Sequence, residues 1–305
     1  MANSYNVSSL PNYVEQHREE LIAKSVLGAK SAYMLSLQTG VKGPTALNLI
    51  DSTIAFGNGA ACGWNEAGST TLSQAILTPA ALKVNMAICD KTLLAKWANY
   101  LVRVEAGKTD ADLPFEKEFI DSVLKGVKAG VERMIWQGDS TSSAQTEFDG
   151  FLTILGATGS TAVAVSGTSA ETAYSFIKKV AAAIPAAAVA EDTVIFVGED
   201  MYRSYMQDLV SANLYHYDPK QGENEYMLPG TAIRVVGVAG LNGTSKAVAG
   251  RLSNMFYGIN LEDGEEIFDL WYSKDNREFR FAIEFVAGVQ VAFQNEIVLG
   301  TKATS

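Results

Sequence analysis

The sequence predicts a mixed α+β fold, and three features point to it. One is a long amphipathic helix over residues 114–137. The second is a stretch from Phe148 to about residue 250 in which strands and helices alternate. The third is a long alternating run near the C-terminus, from Phe279 to Phe293. The chain has 305 residues, 48% of them hydrophobic and 19% charged, which is ample apolar material for one large domain or two moderate ones. Low charge, with 10% aromatics, excludes a disordered or fibrous chain.

Residues 1–45 stand apart from the rest of the chain. After Pro11, the residues Ile22, Val26, Ala29, Tyr33 and Leu37 recur at steps of three and four. Glu15, Arg18, Glu19, Lys24 and Lys30 lie between them, and Gly40, Gly43 and Pro44 stop the pattern. A helix cannot bury such a stripe alone, so it lies either on its own domain or, as an arm, on a neighbouring subunit.

Residues 46–92 read as an extended two-stranded ribbon. In its return strand Leu82, Val84, Met86 and Ile88 alternate with Lys83, Asn85, Ala87 and Cys89. Between the strands, Gly57 to Gly68 carries little side-chain bulk, and Pro79 confines its strand to an edge or a bulge. A lone ribbon is marginal in water, so other copies of the chain are expected to complete the fold.

Pro114 suits the first position of the long helix, and Glu116 and Glu118 favour its positive end. Phe115, Phe119, Ile120, Val123, Leu124, Val127, Val131, Met134 and Ile135 make one apolar face, and Gly138 ends it. At about 1.5 Å per residue the helix is roughly 36 Å long, a spine rather than a connector. Gly126 and Gly130 each cost about 1 kcal/mol against Ala, which predicts close approach of a neighbouring backbone.

Beyond Phe148, Thr168 and Glu171 form a capping box for a helix through Ala183. Thr193–Val197 reads as a buried strand and Gly198–Val210 as a short amphipathic helix, followed by a Tyr-rich loop. Strands follow at Ala232–Val238 and Lys246–Ala249. In the final run Phe279, Phe281, Ile283, Phe285, Ala287, Val289, Val291 and Phe293 share one face, opposite Glu278, Arg280, Glu284, Gln290 and Gln294. A run of that length bends or passes between subdomains.

Chemistry is sparse. Two cysteines, Cys62 and Cys89, make neither a disulfide framework nor a four-ligand zinc site. Gly57-x-Gly59 lacks the third glycine of a dinucleotide fingerprint, and no phosphate loop or nucleophile elbow is present. His17 and His216 are far apart in sequence, and Glu147 and Asp149 lack a partner that would make them an acid–base pair. No catalytic, cofactor-binding or metal-ligating residue is therefore assigned, no cofactor is expected, and the chain is not read as an enzyme. The first 20 residues are polar, and the longest apolar run, Val180–Ala190, contains Pro185 and is too short to span a bilayer. A soluble cytosolic protein is expected. A net charge of −10 disfavours tight binding to a phosphate backbone.

The order of elements resembles that of tailed-bacteriophage major capsid proteins, whose fold is named for phage Hong Kong 97. Met134–Asp139 followed by Glu147–Leu152 is similar to that family's "NGDG … EGL" passage, which marks the crossing from the peripheral to the axial domain. Residues 193–218 resemble its axial segment, Leu228–Val236 its "GLPVV" strand, Gly250–Asn260 its "GDFS … IG" stretch, and residues 265–299 its final strands. The likeness covers essentially the whole chain and rests on order and spacing rather than on any single motif.

The resemblance implies an N-terminal arm over 1–45 and an extended loop over 46–92. It implies a peripheral domain over 93–149 and 251–285 with the spine helix at 114–137, and an α/β axial domain over 150–250 and 286–305. It implies an icosahedral head shell of hexamers and pentamers around double-stranded DNA, without sequence-specific contact. Scaffolding, portal and decoration proteins are the implied partners, and the virion the implied location, after assembly in the bacterial cytoplasm. The arm is too short for a fused scaffolding segment, so a separate scaffold or none is expected.

The family's namesake joins subunits by a bond between a loop Lys and an Asn, and needs a buried carboxylate to take up the amine proton. Here Gly57–Leu72 contains no Lys. Lys83 on the return strand lies roughly 30 Å from the tip at about 3.3 Å per residue, and no donor is placed to reach Asn295 and Glu296, so no such bond is expected. Two other readings remain. One is an encapsulin-type nanocompartment shell with the same fold, in which residues 11–38 would be the helix on the inner wall. The other is a cytosolic enzyme or binding domain without a recognisable motif.

Overall fold

A mostly apolar run, Thr193–Gly198, makes a central strand of the largest of three sheets in the computed structural model. That model describes residues 27–53, 69–89, 115–141, 147–189, 192–215, 224–260 and 267–303. In chain order the elements are α1 (Lys30–Met34), β1 (Ser36–Gln38), β2 (Thr45–Thr53), β3 (Ser69–Leu77), β4 (Ala80–Cys89) and α2 (Phe115–Gln137). Then come α3 (Phe151–Gly156), β5 (Val163–Gly167), α4 (Ala173–Ala182), β6 (Thr193–Gly198), α5 (Glu199–Ser211), β7 (Glu225–Met227) and β8 (Arg234–Val238). The chain finishes with β9 (Lys246–Arg251), β10 (Met255–Ile259), β11 (Ile267–Ser273), β12 (Glu278–Val291) and β13 (Val298–Lys302).

The six-stranded sheet has the order β5-β13-β9-β6-β8-β7, with β6 parallel to β8 and β5 parallel to β13. Every residue of β6 is buried, because the sheet is covered on both faces. Ile195 and Val197 face α4 and α5 and meet Phe176, Ile177, Val180, Tyr205 and Leu209. Val194 and Phe196 point the other way, into the core that also holds α2, α3 and the second sheet. Burying each of these side chains contributes about 1.5–3 kcal/mol.

The second sheet is organised by β12. Its 14 residues span about 46 Å and alternate inward and outward. β10 and β11 pair antiparallel with its two halves, β4 pairs along its other edge, and β1 adds to β10 in parallel. The boundary at 285/286 that the capsid resemblance implies falls inside this unbroken strand. Along α2, Ile120, Val123, Leu124, Val127, Val131 and Ile135 are buried in the shared core, while the side chains of Phe115 and Phe119 lie outside the described residues.

Several expectations change. The ribbon is formed by β2 and β3, paired from Thr45↔Leu77 to Thr53↔Ser69. Residues 80–89 belong instead to β4 on β12, because Thr78–Pro79 interrupts the strand and lets the chain turn onto the sheet. The arm helix ends early. Residues 36–38 give their backbone hydrogen bonds to β10, which leaves only α1 helical among the described residues of that segment. The cap of α4 is Thr172, whose side chain accepts from Ser175 N–H at 3.2 Å, rather than Thr168. Glu171 still receives the Thr168 N–H, at 3.1 Å, but in the turn ahead of the helix.

Glycines mark two close approaches. A Cβ on Gly138 would lie 2.3 Å from the Phe148 carbonyl oxygen, and one on Gly150 would lie 2.7 Å from Gly138 N. By contrast, a Cβ at Gly126 or Gly130 meets nothing within 4 Å, so the approach expected there does not occur within one subunit. Gly138→Ala should therefore lower stability to urea by about 2 kcal/mol or more. Gly126→Ala should raise it by about 0.5–1 kcal/mol. Equal effects at the two positions would contradict this packing.

Candidate assembly surfaces

The ribbon is anchored at its base, and one face of its described part is exposed. Leu77 is fully buried against Val41, Leu47 and the sheet, and its methyl groups occupy the space that a Cβ on Gly258 would need. Gly258 pairs across the sheet with Gly288, where a Cβ would sit 2.9 Å from the Pro79 Cα. The Gln290 amide adds a hydrogen bond to the Ile76 carbonyl at 2.6 Å. Further out, Ala46↔Ile76, Asn48↔Gln74 and Ile50↔Leu72 are cross-strand partners on one face. On that face Ile50 is 65% exposed and Ile76 54%, and the Gln74 amide donates to Asn48 Oδ1 at 3.0 Å. The tip, including Cys62, lies outside the described residues.

A second open surface runs between β4 and α2. It is a groove of about 540 Å³ lined by Leu82, Val84 and Met86 on one side and Val123, Gly126 and Gly130 on the other. The two glycines that no intrachain contact explains form part of its floor.

The junction between the sheets carries a set of polar contacts. Gly150 N–H donates to Gly138 O at 2.9 Å and the Thr153 hydroxyl to the same oxygen at 2.6 Å. On the opposite crossover, Arg251 pairs with Glu296, and Asn254 bonds both the N–H and the carbonyl of Phe293, at 2.7 and 2.8 Å. A cluster that sequence reasoning misses ties α1 to the spine. Buried Glu132 accepts from Ser31 N–H at 3.0 Å and from the Ser31 hydroxyl at 2.5 Å, and Trp136 Nε1–H donates to that hydroxyl oxygen at 2.7 Å. The signal for it is the Glu132–Trp136 step of four beside the apolar stripe.

The residues weighed for chemistry do not converge. Glu147 pairs with Arg133, and Asp149 accepts from Ser140 N–H at 2.8 Å, so each has a local structural task. Cys89 is exposed and free. His17 and His216 lie outside the described residues. Among the described residues no three potential ligands cluster for a metal, and no helix is long and apolar enough to cross a membrane.

No family model matches the chain, and no curated protein does. Solved structures match over nearly its full length. A chain of the satellite phage P4 procapsid aligns with TM-score 0.61 and 12% identity, over 96% of this chain and all of that one. This chain shares that fold. A chain from the capsid of an empty GTA particle aligns with TM-score 0.57 and 12% identity, over 92% of this chain and 90% of that one. One from a virus-like particle of Pyrococcus furiosus gives 0.52 and 7%, over 92% and 96%. The resemblance read from the sequence thus stands at the level of the fold.

Lys83 sits opposite Glu284 in the β4–β12 register, with Nζ 2.7 Å from the carboxylate. It is an ordinary cross-strand ion pair, and Glu296 is occupied by Arg251. A boiled, reduced denaturing gel of assembled material should therefore show one band near 32.7 kDa. A reduction-resistant ladder would contradict this.

Proposed function

We propose that the chain is a major capsid protein, the repeating subunit of an icosahedral phage head. The observation that carries this reading is a full-length match in fold to a procapsid chain, in a subunit whose ribbon leaves an apolar face uncovered. In this reading residues 1–45 are the arm, 46–92 the extended loop together with its return strand β4 on the sheet, 93–149 and 251–285 the peripheral domain, and 150–250 and 286–305 the axial domain, with β12 shared between the two. Its work is assembly rather than catalysis.

The physics is consistent with that task. A thin shell needs elements that reach beyond their own subunit, and a two-stranded ribbon gains stability only by lying on something else. Burial between copies, at about 25 cal/mol per Å² of apolar surface, supplies the drive to assemble. A net charge of −10 keeps the wall from gripping packaged DNA. Scaffolding, portal and decoration proteins are the partners such a head would use, and the virion is where it would reside.

A nanocompartment shell is the second reading, favoured by the match to the Pyrococcus furiosus particle. The contents of purified particles separate the two, since a phage head holds DNA and a compartment holds a cargo protein. Expressed alone or with a scaffold, the chain should form closed shells or rings of five- and six-fold symmetry in negative stain. A compact monomer at all salt and protein concentrations would contradict both readings. Replacing Ile50 and Ile76 by Lys should change subunit stability by less than about 0.5 kcal/mol yet block assembly. Normal shells from that variant would remove the ribbon from the interface.

A further inference from the structure

Residues 29–38 form a strap across the junction of the two sheets. β1 pairs with β10, the Ser36 hydroxyl donates to Leu252 O at 3.1 Å, and Ser31 is fixed to the spine through Glu132. Glu132 is 4% exposed, and the groups that bind its carboxylate are neutral donors, those of Ser31 with the Trp136 indole N–H beside them. A buried carboxylate whose direct donors are all neutral is a costly place for a charge.

The groups that face it from each packed element relieve only part of that cost. From α1 the cation is Lys30, but its ammonium is turned to the Gly237 carbonyl oxygen at 3.3 Å and to Glu225 at 3.9 Å. From β10 the titratable group is the neutral Tyr257 phenol, whose fully buried hydroxyl has no hydrogen-bond partner. Burial, and then the Glu132 charge, push that phenol further above its usual range, so it stays neutral. The turn at 239–241, where Gly240 lies against the Glu132 carbonyl, brings no titratable residue. On α2 itself Arg133 pairs with Glu147.

We infer that Glu132 is a proton-operated clip for the strap, which tightens as pH falls and loosens as pH rises. Protonated, Oε1–H donates to the Ser31 hydroxyl oxygen, and Oε2 still accepts the Ser31 N–H. Both contacts with the strap survive while the buried charge disappears. Ionised, the same contacts persist, but the buried charge is offset only in part by the Lys30 ammonium.

The linkage has a definite sign. Burial pushes the Glu132 carboxyl above its ordinary 4.5, outweighing the Ser31 hydrogen bonds that pull it down. A strap that withdraws admits water and returns the group toward its ordinary value. The extra holding strength is therefore full below pH 4.5 and is lost as pH rises through the raised value. The inference concerns the subunit itself and stands whether or not the chain builds a shell.

Hydrogen exchange on the full-length chain, followed from about pH 4.5 to pH 8 and expressed as protection factors, reads the clip directly. Protection at residues 31–36 should fall with rising pH, on the order of tenfold for each unit by which the docked carboxyl exceeds the ordinary one. Glu132→Gln should abolish that dependence. Ser31→Ala removes a donor that favours the ionised form, so it should move the transition to higher pH. A wild-type strap whose protection ignores pH would overturn the clip. So would an unchanged slope in Glu132→Gln, or an unmoved transition in Ser31→Ala should Glu132→Gln fail to fold.

Discussion

The subunit depends on the last two turns of its spine helix. There a single element belongs to both sheets at once. Ile135 and Trp136 leave the apolar stripe of α2 and enter the core beneath the six-stranded sheet. The Trp136 ring lies 4.9 Å from that of Phe196 and 5.4 Å from that of Phe151. Its N–H is satisfied by Ser31, as a buried indole requires. Immediately beyond, Gly138 and Gly150 let the chain double back so closely that no side chain fits at either position. Loss of this contact would leave two half-covered sheets, because Val194 and Phe196 share one core with β10 and β12.

The same construction explains where the subunit is left open. Polar groups at the junction are paired across it, Arg251 with Glu296 and Asn254 with Phe293, so the two sheets form a connected body. The described part of the ribbon shows no such network. Its base is keyed into Gly258 and Gly288, and past that point Ile50 and Ile76 lie on a bare face. In the proposed reading, another surface covers these exposed β-branched residues. The groove between β4 and α2, floored by two glycines without an intrachain reason, is open in the same sense.

Much of this is legible in the sequence because it follows from periodicity. The spine helix starts within a residue of its expected position, and the buried strand at 193 and the helix after it stand where the apolar pattern puts them. What periodicity misjudges is pairing. The alternation of Leu82, Val84 and Ile88 marks a strand correctly but cannot say whether its partner is the ribbon or β12, and β12 offers the longer buried edge. The short helix α3 and strand β5 give no signal because each is too brief for a repeat to show. Thr168 and Glu171 have the spacing of a cap, yet Thr172 sits where the helix begins. Glu132 is hidden by its type, since an acid on a helix reads as solvent-facing until tertiary structure buries it.

In the proposed capsid reading, another copy of the chain covers the exposed face of the ribbon. A cryo-electron microscopy reconstruction of assembled particles, at a resolution that places side chains, tests it most directly. The account predicts that Ile50 and Ile76 lose their exposure to a neighbouring subunit. A particle in which both remain open to solvent, with subunits joined elsewhere, would contradict it.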